Sequence, residues 1–356
     1  MYFGFLAWIV LAAKFVPGPL VQGQPLEGGK PRVWYRLNGL RLAVITWVLY
    51  YVCGFVLQWF PATIVYDHMA PLSSTVLLFV VFFSVYLYVS GLLNGKGHRT
   101  GSGVSAFVHD FWAGVELNPS LFGLDVKFLS LKVALVGWVV MNMSFAAAQM
   151  RVNGGQLSDG MIFYQIFAFV YSFDYYWHES AMLSTWDIIS EHFGFMLVFG
   201  DYWWMWFAFS VQGWYLVDDK AKIAPGLQIA MVCFFALGYW IFRSSNSQKN
   251  SFKTDPNALI WGKKPETIGN DRKRLLISGW WGILRKANYT GDWMIAIALS
   301  MPCGYSHAFA HFYPIYLISL GIHRAVRDDR KCAAKYKQVW VDYKKRVPYA
   351  VIPGVI

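Results

Sequence analysis

Residues 70–93 read APLSSTVLLFVVFFSVYLYVSGLL, twenty-four consecutive positions without a charged side chain. At 1.5 Å per residue a helix of that length extends about 36 Å, enough to cross a hydrocarbon core of about 30 Å. Lipid offers no water to the backbone N–H and C=O groups, so a spanning segment must bond them internally and is helical. Working outward, further apolar runs occupy 2–16, 41–60, 133–149, 161–177, 193–217 and 225–242. A later pair, 292–306 and 308–323, reads as a hairpin broken by Pro302 and Gly304, and 276–286 offers another short membrane-entering helix. The expected fold is all-α, a polytopic membrane helical bundle of about eight to ten transmembrane helices. Strand-like alternation is missing. No Gly-x-Gly-x-x-Gly follows a strand, so no Rossmann domain is expected. Residues 1–356 are expected to form one membrane domain, with N-terminal helices over 1–242 and a C-terminal half over 243–356.

Composition agrees. Charged residues make up 14% of the chain and hydrophobic residues 56%, against about 25% charged in ordinary soluble domains. The 18 Trp and 21 Tyr suit interfacial belts and core packing. The stretch from Met1 to Val16 lacks a basic leader, so it reads as a first span and not as a removed signal. Cys53, Cys233, Cys303 and Cys332 show no metal or redox spacing, and His307 and His311 lack the accompanying Glu of a zinc hydrolase. No metal is expected.

Charge is segregated. Between Arg151 and Lys220 there is no Lys or Arg, yet Asp159, Asp174, Glu179, Asp187, Glu191, Asp201, Asp218 and Asp219 lie there. A carboxyl in a low-dielectric site without a cationic partner is pushed towards its protonated form, and a neutral acid is a proton donor. Glu179, Asp187 and Asp201 are the candidate donors, with His192 as a relay. Asp174 and His178 are one helical turn apart, as are Asp187 and Glu191. Seventeen of the 31 basic residues fall in 243–274 and 324–346. The positive-inside rule puts both segments on the cytoplasmic face. Between them lies Gly-Trp-Trp-Gly at 279–282, where glycines permit close approach of a flat ligand. Cations for phosphate, an aromatic wall and nearby acids point to a phosphate-bearing ligand at a membrane face. No nucleic-acid module is visible.

Several motifs resemble the sterol reductases, the family of delta-14-sterol reductase, 7-dehydrocholesterol reductase, the delta-24(28) reductase and the lamin B receptor membrane domain. They are Leu-Asn-Gly-Leu at 37–40, Asp-Phe-Trp-Ala-Gly-Val-Glu-Leu-Asn-Pro at 110–119 and Asn-Ser-Gln-Lys-Asn-Ser-Phe-Lys at 246–253. The Gly-Trp-Trp-Gly segment, His-Arg-Ala-Val-Arg-Asp-Asp-Arg-Lys-Cys at 323–332 and Arg-Val-Pro-Tyr at 346–349 complete them. The resemblance implies NADPH as cofactor, with roles for Lys249, Lys253, Leu276, Trp281, Asn288, Tyr289, Asp328, Cys332, Lys335, Tyr336 and Tyr343. It implies a sterol substrate drawn from the bilayer, and residence in the endoplasmic reticulum of a eukaryote or the inner membrane of a bacterium. Three departures stand out. Lys253 replaces a frequent arginine, His311 a frequent aromatic, and Lys286-Ala287 the usual His-Pro or His-Phe. Residues 177–183 and 193–201 look most like delta-14 enzymes, while Trp-Gly-Lys-Lys-Pro at 261–265 is also similar to 7-dehydrocholesterol reductase. The implied chemistry is protonation at carbon 15 and hydride transfer to carbon 14; a delta-7 or delta-24(28) bond is the alternative. An isoprenylcysteine-type methyltransferase and a non-catalytic sterol-binding protein fit less well.

Overall fold

The computed structural model describes residues 1–25, 32–219, 221–255, 257–270 and 273–354. Arg272, counted above in the first basic segment, lies outside them. The chain forms two compact units, Met1–Lys220 and Ala221–Ile356.

The first unit opens with α1 (Tyr2–Phe15), the hairpin β1 (Leu20–Gln22) and β2 (Trp34–Arg36), and α2 (Gly39–Tyr51), which continues as a π turn over Val52–Val56. There follow α3 (Ile64–Asp67), α4 (Met69–Leu93), α5 (Val104–Ala113), the short pair β3 (Ser120–Leu121) and β4 (Leu124–Asp125), and α6 (Val126–Val152). Then come α7 (Asp159–Trp177), α8 (Glu179–Met182), α9 (Trp186–Ile189), α10 (Phe195–Phe199), a π turn at Gly200–Trp204, α11 (Met205–Phe207) and α12 (Val211–Leu216).

Helix α6 is the axis of this unit. Its apolar window is 83% buried, against 28% for α4, because α1, α2, α3, α7, α11 and α12 all pack on it. Asp125 caps its N-terminus, accepting the Phe128 N–H at 2.7 Å. A side-chain oxygen in that position takes up one of the unpaired amides of the first turn. Ser158 does the same for α7, accepting from the Met161 N–H at 3.2 Å.

The second unit contains α13 (Pro225–Thr254), the hairpin β5 (Thr267–Asn270) and β6 (Lys273–Leu276), α14 (Trp280–Ile283), α15 (Ala287–Ser300), α16 (Phe312–Tyr336) and α17 (Gln338–Arg346). Helices α13 and α15 cross with their backbones close together. A Cβ on Gly291 would stand 2.4 Å from the Phe242 nitrogen and 2.6 Å from the Gly238 oxygen. Glycine at 291 is therefore what lets the two helices meet.

Among the described residues four helical segments are long and apolar enough to cross a membrane: Gly39–Val56, Met69–Leu93, Val126–Val152 and Pro225–Thr254. The other expected spans are helical but shorter, interrupted or, in the 19-residue α7, less apolar. Residues 193–217 break at Gly194, at the π turn and again before Ser210. The hairpin of 292–323 is interrupted by 3-10 turns at Met301–Cys303 and Ala308–His311. Only four residues of 276–286 are helical, because β6 runs through Leu276. Sheet is confined to three two-stranded antiparallel pairs among the described residues.

Candidate active site

The acids of 174–201 lack local cations, but α6 supplies them. Lys127 and Lys132 lie in its first two turns and are both buried. A lysine so near a helix N-terminus opposes the helix dipole, so both depend on acceptors. The Lys127 ammonium donates to the carbonyls of Ile188 at 2.9 Å and Glu191 at 2.7 Å. The negative charges acting on it are Asp125, Asp187, Glu191 and Asp201. Lys132 donates to Asn38 Oδ1 at 2.5 Å and to the Arg36 carbonyl at 3.1 Å, and faces Glu179 Oε1 at 3.2 Å. The expectation that these acids lack cationic partners is thereby corrected. The two lysines are five residues apart, close to 140° around the helix at 3.6 residues per turn, so they serve different faces.

One face holds Glu179. Its Oε2 accepts the Gly39 N–H at 2.8 Å across 140 residues of sequence, and a Cβ on Gly39 would stand 2.6 Å from Oε1. This gives the Leu-Asn-Gly-Leu motif a physical meaning. Asn38 is buried, accepts from Lys132 and donates to the Ala13 and Val16 carbonyls at 3.0 and 2.8 Å. Gly39 leaves room for the carboxylate. Burial pushes the Glu179 carboxyl up, while Lys132 and the Gly39 N–H oppose that rise.

The other face brings Asp187 and Asp201 together. Ile188 packs with Tyr35, Phe128 and Leu183, which fixes α9 and hence Asp187. Asp201 lies in the π turn, a local widening often found at functional positions, and is hydrogen-bonded to the Ser130 hydroxyl. Ser130 Oγ also lies 2.8 Å from the Lys127 carbonyl. A hydroxyl has one proton and a carbonyl can only accept. If Ser130 donates to that carbonyl, the contact with Asp201 requires a proton on the carboxyl. Asp187 and Asp201 repel one another, and Tyr175 feels both. His192 is half-buried on the loop between α9 and α10. The 110–119 motif anchors this loop: Phe193 N–H donates to the Glu116 carbonyl at 3.0 Å. Gly114 and Gly194 meet backbone to backbone; a Cβ on Gly114 would be 2.5 Å from the Gly194 nitrogen. Asp110 accepts from the Thr100 hydroxyl at 2.6 Å and from its amide. Asp174 and His178 pair at 3.1 Å, one turn apart as expected.

The second unit gathers the residues of its own half. The Trp281 indole N–H donates to the Ser245 carbonyl at 2.9 Å, and Tyr343 donates its hydroxyl to the Trp281 carbonyl at 3.1 Å. Gln248 Oε1 accepts the Trp280 N–H at 2.9 Å. The Lys249 ammonium sits over the Trp281 ring, 4.7 Å from its centre, and Lys335 sits over Tyr336 at 5.1 Å. Leu276, Trp281 and Ile260 form one small core, with Phe252 and Trp280 packed against it. Cys332 and Tyr336 pack against a second core of Trp340, Tyr343 and Val347. Lys249, Lys253 and Lys335 are exposed; Lys286 is buried. Lys253 feels both Lys249 and Lys335, and Lys286 feels Lys249, so the four ammonium groups share one electrostatic neighbourhood. Lys286 is ion-paired with Asp328. Burial pushes Lys286 down to about 8, with the repulsion of Lys249 adding to it. Burial raises the Cys332 thiol, against the pull of Lys286 and Lys249. Asn288 Oδ1 is buried without a hydrogen-bond partner among the described residues. Tyr289 follows on α15, its N–H donating to the Lys286 carbonyl at 2.9 Å.

Sequence reading singled out neither Lys127, Lys132 nor Ser130. A signal was there: two lysines and a serine in the first turns of a helix whose next nine residues, 133–141, carry no polar side chain apart from the Trp138 indole. Lys286 stood out only as a departure, with no partner assigned.

Similarity to known proteins extends along the whole chain. The chain is 41% identical over 353 residues to a Delta(14)-sterol reductase of Arabidopsis thaliana, covering 99% of this chain and 94% of that protein. It is 38% identical over 357 residues to a Delta(14)-sterol reductase of Methylotuvimicrobium alcaliphilum, covering 99% and 82%. It is also 35% identical over 358 residues to the 7-dehydrocholesterol reductase of Xenopus laevis, covering 96% and 75%. The family model for ergosterol biosynthesis ERG4/ERG24 matches residues 1–356, and the chain belongs to that family.

Proposed function

We propose that the chain reduces a sterol ring double bond with NADPH, the delta-14 bond in first place, by protonating carbon 15 and delivering hydride to carbon 14. The observation that carries the reading is the cluster of Lys249, Lys253, Lys286 and Lys335 beside Trp281 and Cys332. Its chemistry fits a phosphorylated dinucleotide. Four cations exceed the two acids, Asp328 and Asp329, that lie among them. The unpartnered Asn288 oxygen is an acceptor for an amide N–H or a hydroxyl. Lys249 and Lys253 would hold phosphate as point charges, without the fork geometry of arginine. Trp281 and Tyr336 would flank a flat ring, and Asp328 would accept a ribose hydroxyl. When bound, NADPH supplies the hydride.

The first unit supplies the proton. An alkene is a poor base, so the acid must be neutral and held in place. We assign donation to Asp201, oriented by Ser130. Asp187, which lies in the field of Lys127, would stabilise the positive charge that develops on carbon 14. His192 would return the proton from solvent. Glu179 Oε2 accepts the Gly39 N–H and its Oε1 faces the Lys132 ammonium as an ion pair, so we assign it to bracing α8 against α2 and not to donation. The two Delta(14)-sterol reductases named above favour the delta-14 bond; the 7-dehydrocholesterol reductase keeps the delta-7 bond as the second reading.

The test is turnover of a delta-8,14 diene and of 7-dehydrocholesterol by the purified protein with NADPH, read by loss of each double bond, alongside Lys249→Ala. Loss of the 14-ene alone is expected, with the variant needing about tenfold more NADPH. Loss of the 7-ene alone would transfer the assignment to that bond. An unchanged NADPH requirement in Lys249→Ala would refute the phosphate role.

A further inference from the structure

Every backbone carbonyl from Val347 to Val351 accepts a hydrogen bond from the short stretch 285–290. The Arg285 guanidinium donates through Nη1 to the carbonyls of Val347, at 2.8 Å, and Pro348. The Arg285 N–H donates to the Tyr349 carbonyl at 3.0 Å, and the Lys286 N–H to that of Ala350 at 2.8 Å. The Thr290 hydroxyl donates to the Val351 carbonyl at 2.7 Å. Residues 347–351 are neither helix nor strand, so no regular repeat accounts for five consecutive carbonyls turned to one partner. Val347 is 0% and Val351 3% exposed, which seats both ends of this strap. The strap includes most of the Arg-Val-Pro-Tyr motif of 346–349.

The strap acts on the start of α15. The first amides of a helix have no partner within it, and Lys286, at the N-cap of α15, makes no side-chain cap. The Ala350 carbonyl takes up its amide instead. From α17 the strap is anchored by Val347, which packs with Trp340 and Tyr343. The stretch so fixed carries Lys286, which is ion-paired with Asp328, then Asn288 and Tyr289. Arg285 stands beside these lysines in sequence and charge, yet its Nη1 is committed to two carbonyls of its own chain. A guanidinium carries several N–H donors and a permanent charge, which suits a run of carbonyl oxygens.

We infer that Arg285 is a positioning residue of the dinucleotide site: it clamps 347–351 against the start of α15, and the clamp holds Lys286, Asn288 and Tyr289 in place for the ligand. The ligand rests on the NADPH reading above; the clamp rests on the five hydrogen bonds.

The test is equilibrium binding of NADPH to the purified full chain, measured on both sides of pH 8. Arg285→Met is expected to weaken binding about tenfold. Val351→Asn puts a neutral polar group at a buried position, unseats the strap without changing charge, and is expected to weaken binding about as much. Thr290→Val removes one of the five bonds and is expected to weaken binding about threefold; it covers the case in which Val351→Asn fails to fold. The charged and titratable groups facing Lys286 are Asp328, Asp329, Lys249, Cys332 and Arg285, and Val351→Asn alters none of them. Its fall in affinity near pH 8 should nevertheless move to higher pH, because a lysine released from burial regains its ordinary value of 10.5. A strap that served stability alone would lower the unfolding midpoint and leave that step in place. Native affinity in Val351→Asn and Thr290→Val, with weakening confined to Arg285→Met, would make Arg285 a direct anion contact and overturn the clamp, as would a step that stays at pH 8. If the native chain binds no NADPH, the cofactor reading falls and the inference with it; native binding with unchanged variants removes the inference alone.

Discussion

Replacing Lys132 with methionine removes one charge from a buried pair and leaves the other. In the native protein the Lys132 side chain is 4% exposed and that of Glu179 is 7% exposed, with 3.2 Å between the charged atoms. Breaking a buried pair on one side costs about 3–5 kcal/mol, because the remaining charge is uncompensated. Asn38 Oδ1 and the Arg36 carbonyl also lose their donor, which places Lys132→Met at the upper end. Adding Glu179→Gln removes the stranded charge but not those two acceptors. The double variant should therefore stay about 1–3 kcal/mol below the native protein, with a favourable coupling of about 2 kcal/mol or more between the two sites. The pH dependence has a definite sign. The folded pKa of Glu179 lies above its ordinary value of 4.5, so between the two values the folded state holds a proton that the unfolded state has released. Stability from this group then falls as pH rises through that window. Without Lys132 the folded value climbs further, at 1.36 kcal/mol per unit, and the window widens upward. Equilibrium unfolding in mixed micelles at pH 5 and pH 7.5, followed by tryptophan fluorescence, reads all four members of the cycle. Lys132→Met should be closer to native at pH 5 than at pH 7.5, and the double variant should not show that difference. Additive effects of the two substitutions, or a pH-independent loss in Lys132→Met, would refute the reasoning.

Three further outcomes are expected. Asp201→Asn should lower turnover of the diene by about 10²–10⁴-fold, the usual share of a general acid, with NADPH affinity by equilibrium binding unchanged; retained turnover would remove Asp201 from the mechanism. Lys286 loses its proton near pH 8, so affinity for an anionic dinucleotide should weaken as pH rises through 8, and Lys286→Arg, which stays charged, should flatten that profile. Gly291→Ala should force α13 and α15 apart and destabilise the second unit by about 1–3 kcal/mol, measured as a lower unfolding midpoint; an unchanged midpoint would mean that the helices separate freely.

The grouping of the C-terminal candidate residues was legible in the sequence, for identifiable reasons. The lysines of 246–253 and the Asp-Asp and Cys of 328–332 lie on two helices at helical spacing, so local periodicity already put each set on one face. Gly-Trp-Trp-Gly marks the short α14 whose indoles reach back to Ser244 and Ser245. The acids were harder. Glu179, Asp187 and Asp201 were grouped because they are close in sequence and far from any local cation, yet Glu179 faces Lys132 while Asp201 faces Ser130 and the field of Lys127. Sequence distance gave no hint that Gly39 would bond Glu179, or that the π turn would turn Asp201 towards α6.

By itself, the sequence determined that this is a helical membrane protein of the sterol reductase kind with a cationic, aromatic C-terminal half. The thickness of a bilayer and the need to bond every amide within it leave few alternatives for runs such as 70–93, and motifs of this length carry their own signal. Only the tertiary structure decided which acid is paired, which is held against a hydroxyl and which stands beside a second carboxylate. Those states depend on contacts through space between helices far apart in the chain, and burial makes each contact decisive: in a low-dielectric interior a single ammonium 3 Å away determines whether a carboxyl carries a charge or a proton.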